Sequence, residues 1–258
     1  MRMICAITFV ATMLAGVSTL PAVNPTSSSK GSAAMQQAAA AEKYLFVFFW
    51  KDQNPQTDAA WQGFQAATAN AGQWANVVSV GINDPAEKPL VDRYGLTRAP
   101  MPLVMSFAPN GAVTKAFPGK VDEQQLQTAL VSPGYAQCLK SLQERKLVLL
   151  CVQHVQPQAR TVLPRGVVDF KSDPNYATST EIVPLNADDA AEASFLKELK
   201  VDSRTPGPVT LLMAPPGTVV GKFDGAVTKK EIVAKLATAQ SSCCPGGQCG
   251  PGGCGPKK

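Results

Sequence analysis

Seven cysteines and a single histidine carry most of the reactive chemistry in this 258-residue chain. Four of the thiols crowd the C-terminus in the run Cys243-Cys-Pro-Gly-Gly-Gln-Cys249-Gly-Pro-Gly-Gly-Cys254. Glycine and proline keep such a backbone open and turning, so four sulfurs can converge on one ion. Four thiolates suit a soft or borderline metal such as Zn(II) or Cu(I). Cys243, Cys244, Cys249 and Cys254 are therefore candidate metal ligands. Two rivals stand beside that reading: disulfides within or between tails, and a Gly/Pro/Cys extension with no single state. A thiol relay serving another protein is a further alternative. Elsewhere, Cys151 and His154 sit in Leu149-Leu-Cys-Val-Gln-His154 with no second thiol nearby. A lone cysteine inside an apolar run behaves as a small hydrophobe; a bond to Cys138 and redox chemistry are the alternatives. His154 has no acidic partner fixed by the sequence and reads as a partly exposed residue at a strand end.

The elements that position these residues come from a repeat. Arg98-Ala-Pro-Met-Pro-Leu-Val-Met-Ser-Phe-Ala-Pro-Asn-Gly111 aligns with Arg204-Thr-Pro-Gly-Pro-Val-Thr-Leu-Leu-Met-Ala-Pro-Pro-Gly217 at a constant offset of 106. The match extends through Phe117/Phe223, Gly119/Gly225 and Val121/Val227. In the first copy, Tyr44–Trp50 is a continuous apolar run, the pattern of a strand buried on both faces. The spacing of Ala60, Trp61, Phe64 and Ala67 predicts a helix near residues 57–71. A strand over 77–82, a short helix over 87–94 and a hairpin of 103–107 with 112–117 follow. A helix over 122–130 closes the copy, with Asp122 as its N-cap. Asp52 is expected to cap the helix after the first strand. The second copy has strands over 146–152 and 181–185, a helix over 187–200, a hairpin of 209–213 with 218–223 and a last helix over 229–239. A helix over 135–145 joins the copies.

The order β-α-β-α-β-β-α, with a proline just before the third strand and a Pro-Asn-Gly turn after it, resembles the thioredoxin-like fold. Phe49-Trp50 and Tyr94-Gly95-Leu96 are similar to the strand end and helix exit of that family. The resemblance implies two tandem domains, each a central mixed sheet flanked by helices. It also implies a cis proline in each loop; the nine-residue spacing to the hairpin glycine favours Pro102 and Pro208 over Pro100 and Pro206. Family enzymes open the first helix with Cys-x-x-Cys, where the helix N-terminus lowers a thiol pKa. Here Asn54 and Thr57 stand at those positions, and Phe48 replaces the family's buried acid. The resemblance therefore implies a scaffold without its redox parts.

The ends and the composition bound the rest. Arg2 precedes a nearly unbroken apolar stretch to Leu20, followed by small residues, the pattern of a secretory signal peptide over residues 1–22. Cleavage fits after Ser18 or Ala22. The alternative is an uncleaved membrane anchor, since about 18 apolar residues nearly span a bilayer. Export to the periplasm or outside the cell allows disulfides to persist. The expected organisation is a flexible, disordered spacer at 23–41, domains at 42–132 and 133–240, and a disordered cysteine-rich tail at 241–258. The net charge of +5 is spread along the chain without a basic stripe, which argues against nucleic acid as a partner. A protein or peptide partner is expected instead. The loop residues expected to take it are Asn54, Gln56, Met101 and Pro102 in copy one, and His154, Gly207 and Pro208 in copy two. The leading functional reading is a redox-inactive binding or scaffold module, with metal binding by the tail and an atypical thiol–disulfide enzyme as alternatives.

Overall fold

The computed structural model describes residues 29–154, 163–202, 204 and 207–242. These residues form two units of the same design. In the first, helix α1 (Lys30–Ala40) leads into β1 (Tyr44–Trp50), α2 (Pro55–Thr68), β2 (Ala75–Gly81), α3 (Lys88–Tyr94), β3 (Leu103–Phe107), β4 (Val113–Pro118) and α4 (Glu123–Gln127). In the second, α5 (Pro133–Gln143) leads into β5 (Leu147–Gln153), α6 (Arg165–Lys171), β6 (Thr180–Asn186), α7 (Ala193–Glu198), β7 (Val209–Ala214), β8 (Thr218–Asp224) and α8 (Lys229–Ser242).

Each unit holds one four-stranded mixed sheet, ordered β2-β1-β3-β4 and β6-β5-β7-β8. β1 runs parallel to β2 and antiparallel to β3, and β5 relates to β6 and β7 in the same way. Alternate residues of a strand point to opposite faces, so each central strand feeds two cores. Leu45, Val47 and Phe49 pack with Val80, Leu90 and Phe107 on the α1/α3 face. Phe46 and Phe48 pack with Phe64, Val104 and Leu126 on the α2/α4 face. Both faces are covered, which is why Tyr44–Trp50 reads as an unbroken apolar run.

The repeated proline–glycine signature has a direct cause. The N–H of Gly119 donates to the carbonyl of Pro102 at 2.8 Å, and that of Gly225 to Pro208 at 2.7 Å. Each bond ties the exit of a unit's last strand to the entry of its third. Both glycines hold positive φ, 78° and 84°, a conformation that costs glycine little.

A second repeated device was not legible in the sequence. The carboxylate of Glu87 accepts hydrogen bonds from Ser29 Oγ (2.6 Å) and from the N–H of Gly31 (3.0 Å) at the start of α1. Glu192 accepts from Ser132 Oγ and from the N–H of Gly134 (2.7 Å) at the start of α5. The serines also cap their helices, accepting from the N–H groups of Ser32 and Tyr135. The two glutamates are only 2% and 4% exposed, so their charge depends on these donors and on the positive end of the helix. Glycine lets both contacts close without moving a leucine. A Cβ on Gly31 would lie 2.6 Å from Leu90, and one on Gly134 would lie 2.8 Å from Leu185.

Several expectations are corrected. The spacer expected at residues 23–41 is, from Lys30 to Ala40, a helix seated on β1 and β2. Its Ala- and Gln-rich sequence is weakly amphipathic, and its anchoring lies in Glu87, far along the chain. Asp52 does not cap α2. Asn54 does, accepting from the N–H of Thr57 at 2.9 Å, while the carbonyl of Asp52 accepts from Thr57 Oγ1. The helix expected over 187–200 is a 3-10 turn (Ala190–Glu192) followed by the six-residue α7. Helix α6 carries no capping side chain and buries only Gly166, Val167 and Phe170, too short a signal to place it. Asp122 does cap α4, through a reciprocal pair of bonds with Gln125.

The clasp sets the first stability expectation. Glu192→Ala should destabilise the chain by about 1–3 kcal/mol, because it leaves the Gly134 N–H and Ser132 hydroxyl unpaired. Glu192→Gln should cost less, since an acceptor remains. Chemical denaturation followed by circular dichroism checks both; equal stability of all three chains would show that the clasp contributes nothing.

Candidate functional site

The candidate site of unit one lies at one end of its sheet. The pairing of Phe49 with Leu103 brings the exit of β1 next to the entry of β3. The Lys51–Asn54 loop and the Met101–Pro102 step therefore share that end. The loop is held from below. Trp50 Nε1 donates to Ser79 Oγ at 3.0 Å, and Asn83 Nδ2 donates to the carbonyl of Lys51 at 3.1 Å.

Asn54 and Thr57 meet through the cap bond described above. Asn54 and Gln56 are exposed, Met101 is half-buried and Pro102 is buried. The Met101–Pro102 bond is cis, as expected for Pro102. Among the described residues, the N–H and C=O of Met101 take part in no hydrogen bond. They form a short unpaired backbone edge beside an exposed polar loop.

Unit two repeats this arrangement in part. Val152 pairs with Val209, which places His154 and Pro208 at the same sheet end. Gly207–Pro208 is not cis; among the described residues a cis bond of this unit falls instead at Pro215–Pro216, in the turn between β7 and β8. Gly207 has φ of 102°, so the backbone freedom of glycine shapes this approach. Pro206 lies outside the described residues. No acidic partner for His154 is evident in the sequence, but the fold supplies one: His154 Nδ1 lies 2.9 Å and 3.0 Å from the two carboxylate oxygens of Asp188. Asp188 follows β6, and the parallel pairing of β5 with β6 brings the two strand exits together. That contact depends on strand pairing, which the sequence around His154 does not encode.

The two buried thiols belong to opposite faces of the second sheet. Cys138 lies in the α5/α7 core with Val148, Leu150 and Phe195. Cys151 lies in the α6/α8 core with Phe170, Leu212 and Ile232. Both are free, and the sheet between them excludes a mutual disulfide. Burial pushes the Cys138 thiol up to about 12, with the negative charge of Glu192 adding to the effect. Burial pushes Cys151 up to about 11. Nucleophilic attack needs a thiolate, so neither residue is suited to thiol exchange at neutral pH. Among the described residues, no group of three or more His, Cys, Asp or Glu side chains is placed to hold a metal. Cys243, Cys244, Cys249 and Cys254 lie outside the described residues, as do the expected signal segment and Cys5. No described helix is long and apolar enough to cross a membrane.

Parallel β1–β2, antiparallel β1–β3–β4, a helix on each side and a proline step entering β3 make a recognisable topology. Both units have the strand order and strand directions of the thioredoxin-like fold. No family model matches the chain, and no curated protein matches it. Among solved structures, it is similar to thioredoxin O2 from Arabidopsis thaliana, at 13% identity over 38% of this chain and 82% of that one, with a TM-score of 0.31. It is also similar to Malassezia sympodialis thioredoxin, at 20% identity over 40% and 83% with a TM-score of 0.32. Desulfothioredoxin from Desulfovibrio vulgaris Hildenborough matches at 24% identity over 40% and 91%, with a TM-score of 0.31. The assignment to this fold rests on the strand order and directions of the chain itself.

The raised thiol pKa values have a measurable consequence. At pH 8, alkylation of the native chain followed by peptide mapping should leave Cys138 and Cys151 unmodified, and unfolding should expose both. The folded chain holds these two protons more tightly than the unfolded chain. They therefore contribute stability that is fully present below about pH 9 and is lost as the pH rises toward 11 and 12. Rapid native labelling of either peptide would contradict the placement of these thiols.

Proposed function

We propose that the chain is an exported, non-redox binding protein that receives an extended peptide segment at the proline loop of unit one. The observation that supports this most is the unpaired N–H and C=O of Met101 at the open end of a rigid sheet. An extended peptide can satisfy both groups as an added strand segment. Asn54 and Gln56 offer amide donors and acceptors alongside, and the half-buried Met101 side chain offers an adaptable apolar contact. No residue in this loop carries a thiol. A scaffold that retains the recognition edge and lacks the thiols is suited to holding a partner rather than reducing it. Function lives in sites grafted on folds, so the thioredoxin-like architecture alone assigns no activity. Export is supported by the Arg2-led apolar N-terminus and by the concentration of thiols near the C-terminus, which matches an oxidising compartment.

The test is a screen of displayed extended peptides against the full chain, followed by affinity measurements on the peptides recovered. Met101→Lys places a charge on the apolar contact and should weaken binding by about tenfold or more, or about 1.4 kcal/mol, with little change in melting temperature. Insulin reduction by the same protein should remain at background. Absence of any peptide binding, or equal binding by the variant, would defeat the proposal. Turnover of insulin that depends on Cys243 or Cys244 would favour a thiol enzyme instead.

A further inference from the structure

β2 is the outer strand of the first sheet and, among the described residues, pairs only with β1. Two bonds frame that ladder. The N–H of Tyr44 donates to the carbonyl of Trp74 at 3.0 Å, and that of Ile82 donates to the carbonyl of Trp50 at 2.9 Å. In a parallel ladder the backbone groups of alternate residues face the neighbouring strand. The even-numbered residues of β2 therefore face β1, and Val77 and Ser79 turn their N–H and C=O groups outward. Among the described residues, these four groups take part in no hydrogen bond. Val77 is 39% exposed and Ser79 is half-buried. Ala75 also faces outward, but at 2% exposure it is too buried to pair.

The chain shields its other parallel edge. In unit two the framing bonds run from the N–H of Leu147 to the carbonyl of Ser179 and from the N–H of Ala187 to the carbonyl of Gln153. The even-numbered residues of β6 therefore face outward. One of them is Pro184, exposed at the fifth position of its strand, where β2 has Ser79. A proline offers no N–H and blunts an edge against pairing. The edge of β4 is covered differently. The side-chain amide of Gln143 donates to the carbonyl of Val113 at 2.6 Å and accepts from its N–H at 2.9 Å, as a strand residue would. β2 has neither device. Its sequence Ala75-Asn-Val-Val-Ser-Val-Gly81 holds no charge and no proline. An open groove of about 780 Å³ runs along it, between α1 and residues 68–72.

We propose that two copies of the chain pair through β2, antiparallel about a two-fold axis at Val78, so that their first sheets join into one. In this register Val77 of each copy exchanges both backbone bonds with Ser79 of the other, and every open group named above is satisfied. An axis at Val77 would call on the buried Ala75 instead. Charge favours a second copy as the occupant. α1 runs antiparallel to β2: its start is held to Glu87, beyond the end of β2, and its end leads to Lys43, whose Nζ donates to the carbonyl of Gly72 at 2.6 Å, ahead of β2. The axis therefore sets the two α1 helices antiparallel on one face of the joined sheet. Lys30 lines the groove at the positive end of its own helix, an unfavourable place for a cation. In the pair it lies level with the negative C-terminal end of the other α1 and with Glu42, the exposed residue just past that end. The two-fold axis makes this match twice. Between these ends the groove-lining residues of α1, Ala33, Ala34 and Gln37, are small or neutral and oppose no like charge.

The full chain is measured with reductant present, which keeps the tail thiols from joining chains. Sedimentation equilibrium should show a reversible monomer–dimer equilibrium, and amide exchange at Val77 and Ser79 should slow as the concentration rises. Val77→Lys puts a charge on the edge and should raise the dimer dissociation constant about tenfold or more. Its melting temperature at concentrations where the monomer prevails should not change. Lys30→Glu should raise the dissociation constant severalfold, and adding Glu42→Lys should restore it. The proposal is overturned by a monomer at every concentration up to about 1 mM, by a dimer indifferent to Val77→Lys, by a dimer whose Val77 and Ser79 amides stay unprotected, or by failure of the charge swap to restore pairing. Peptide binding by a monomer, lost on Val77→Lys, would assign the edge to a peptide and overturn it as well.

Discussion

A buried carboxylate clasps the opening helix of each unit, and the placement of much else follows from it. Glu87 and Glu192 sit in the turns that follow the second strand of each unit, at the threshold of α3 and α7. Each reaches across to a serine cap and to a glycine N–H on a helix more than fifty residues earlier. One side chain thereby relates three elements: the strand it follows, the helix it precedes and the helix it binds. The negative charge is tolerated because it meets a helix N-terminus, where partial positive charge and unpaired N–H groups are already present. The glycine in each clasp lets the helix descend until it touches the carboxylate. In unit two, the clasp fixes the helix that also carries Gln143, Ala136 and Leu139 into the seam between the units.

Much of this architecture can be read from the sequence, and the rest is hidden for identifiable reasons. The strand Tyr44–Trp50 is plain because both its faces are buried. The proline–glycine signature is plain because its glycines take positive φ and its prolines mark strand entry. Helix α1 is hidden because its own composition is ambiguous and its anchor lies beyond two strands. Helix α6 is hidden because it is short and uncapped. At the candidate site, the Asn54–Thr57 pair that caps α2 is explicit in the sequence. The His154–Asp188 contact and the open edge of Met101 depend on strand pairing and register, which one stretch of sequence does not carry.

The two units differ most at the sheet end where β1 meets β3 and β5 meets β7. Unit one places a helix cap at Asn54 and Thr57 beside an open backbone edge at Met101. Unit two places a histidine beside a carboxylate and keeps its thiols buried on opposite faces. The frame around these ends has changed far less: the sheet order, the glycine closure and the carboxylate clasp recur with the same atoms in the same roles.

Helix α5 belongs to both units at once. It is the opening helix of the second and the cover for the edge of the first, where the Gln143 amide occupies the place of a neighbouring strand beside Val113. During synthesis, unit one therefore leaves the ribosome with β4 unguarded at Val113 and with Ala108 and Ala112 uncovered. Its completion waits on a helix that is also the first piece of its successor. The two units are thus less two separate beads than neighbours that share one wall.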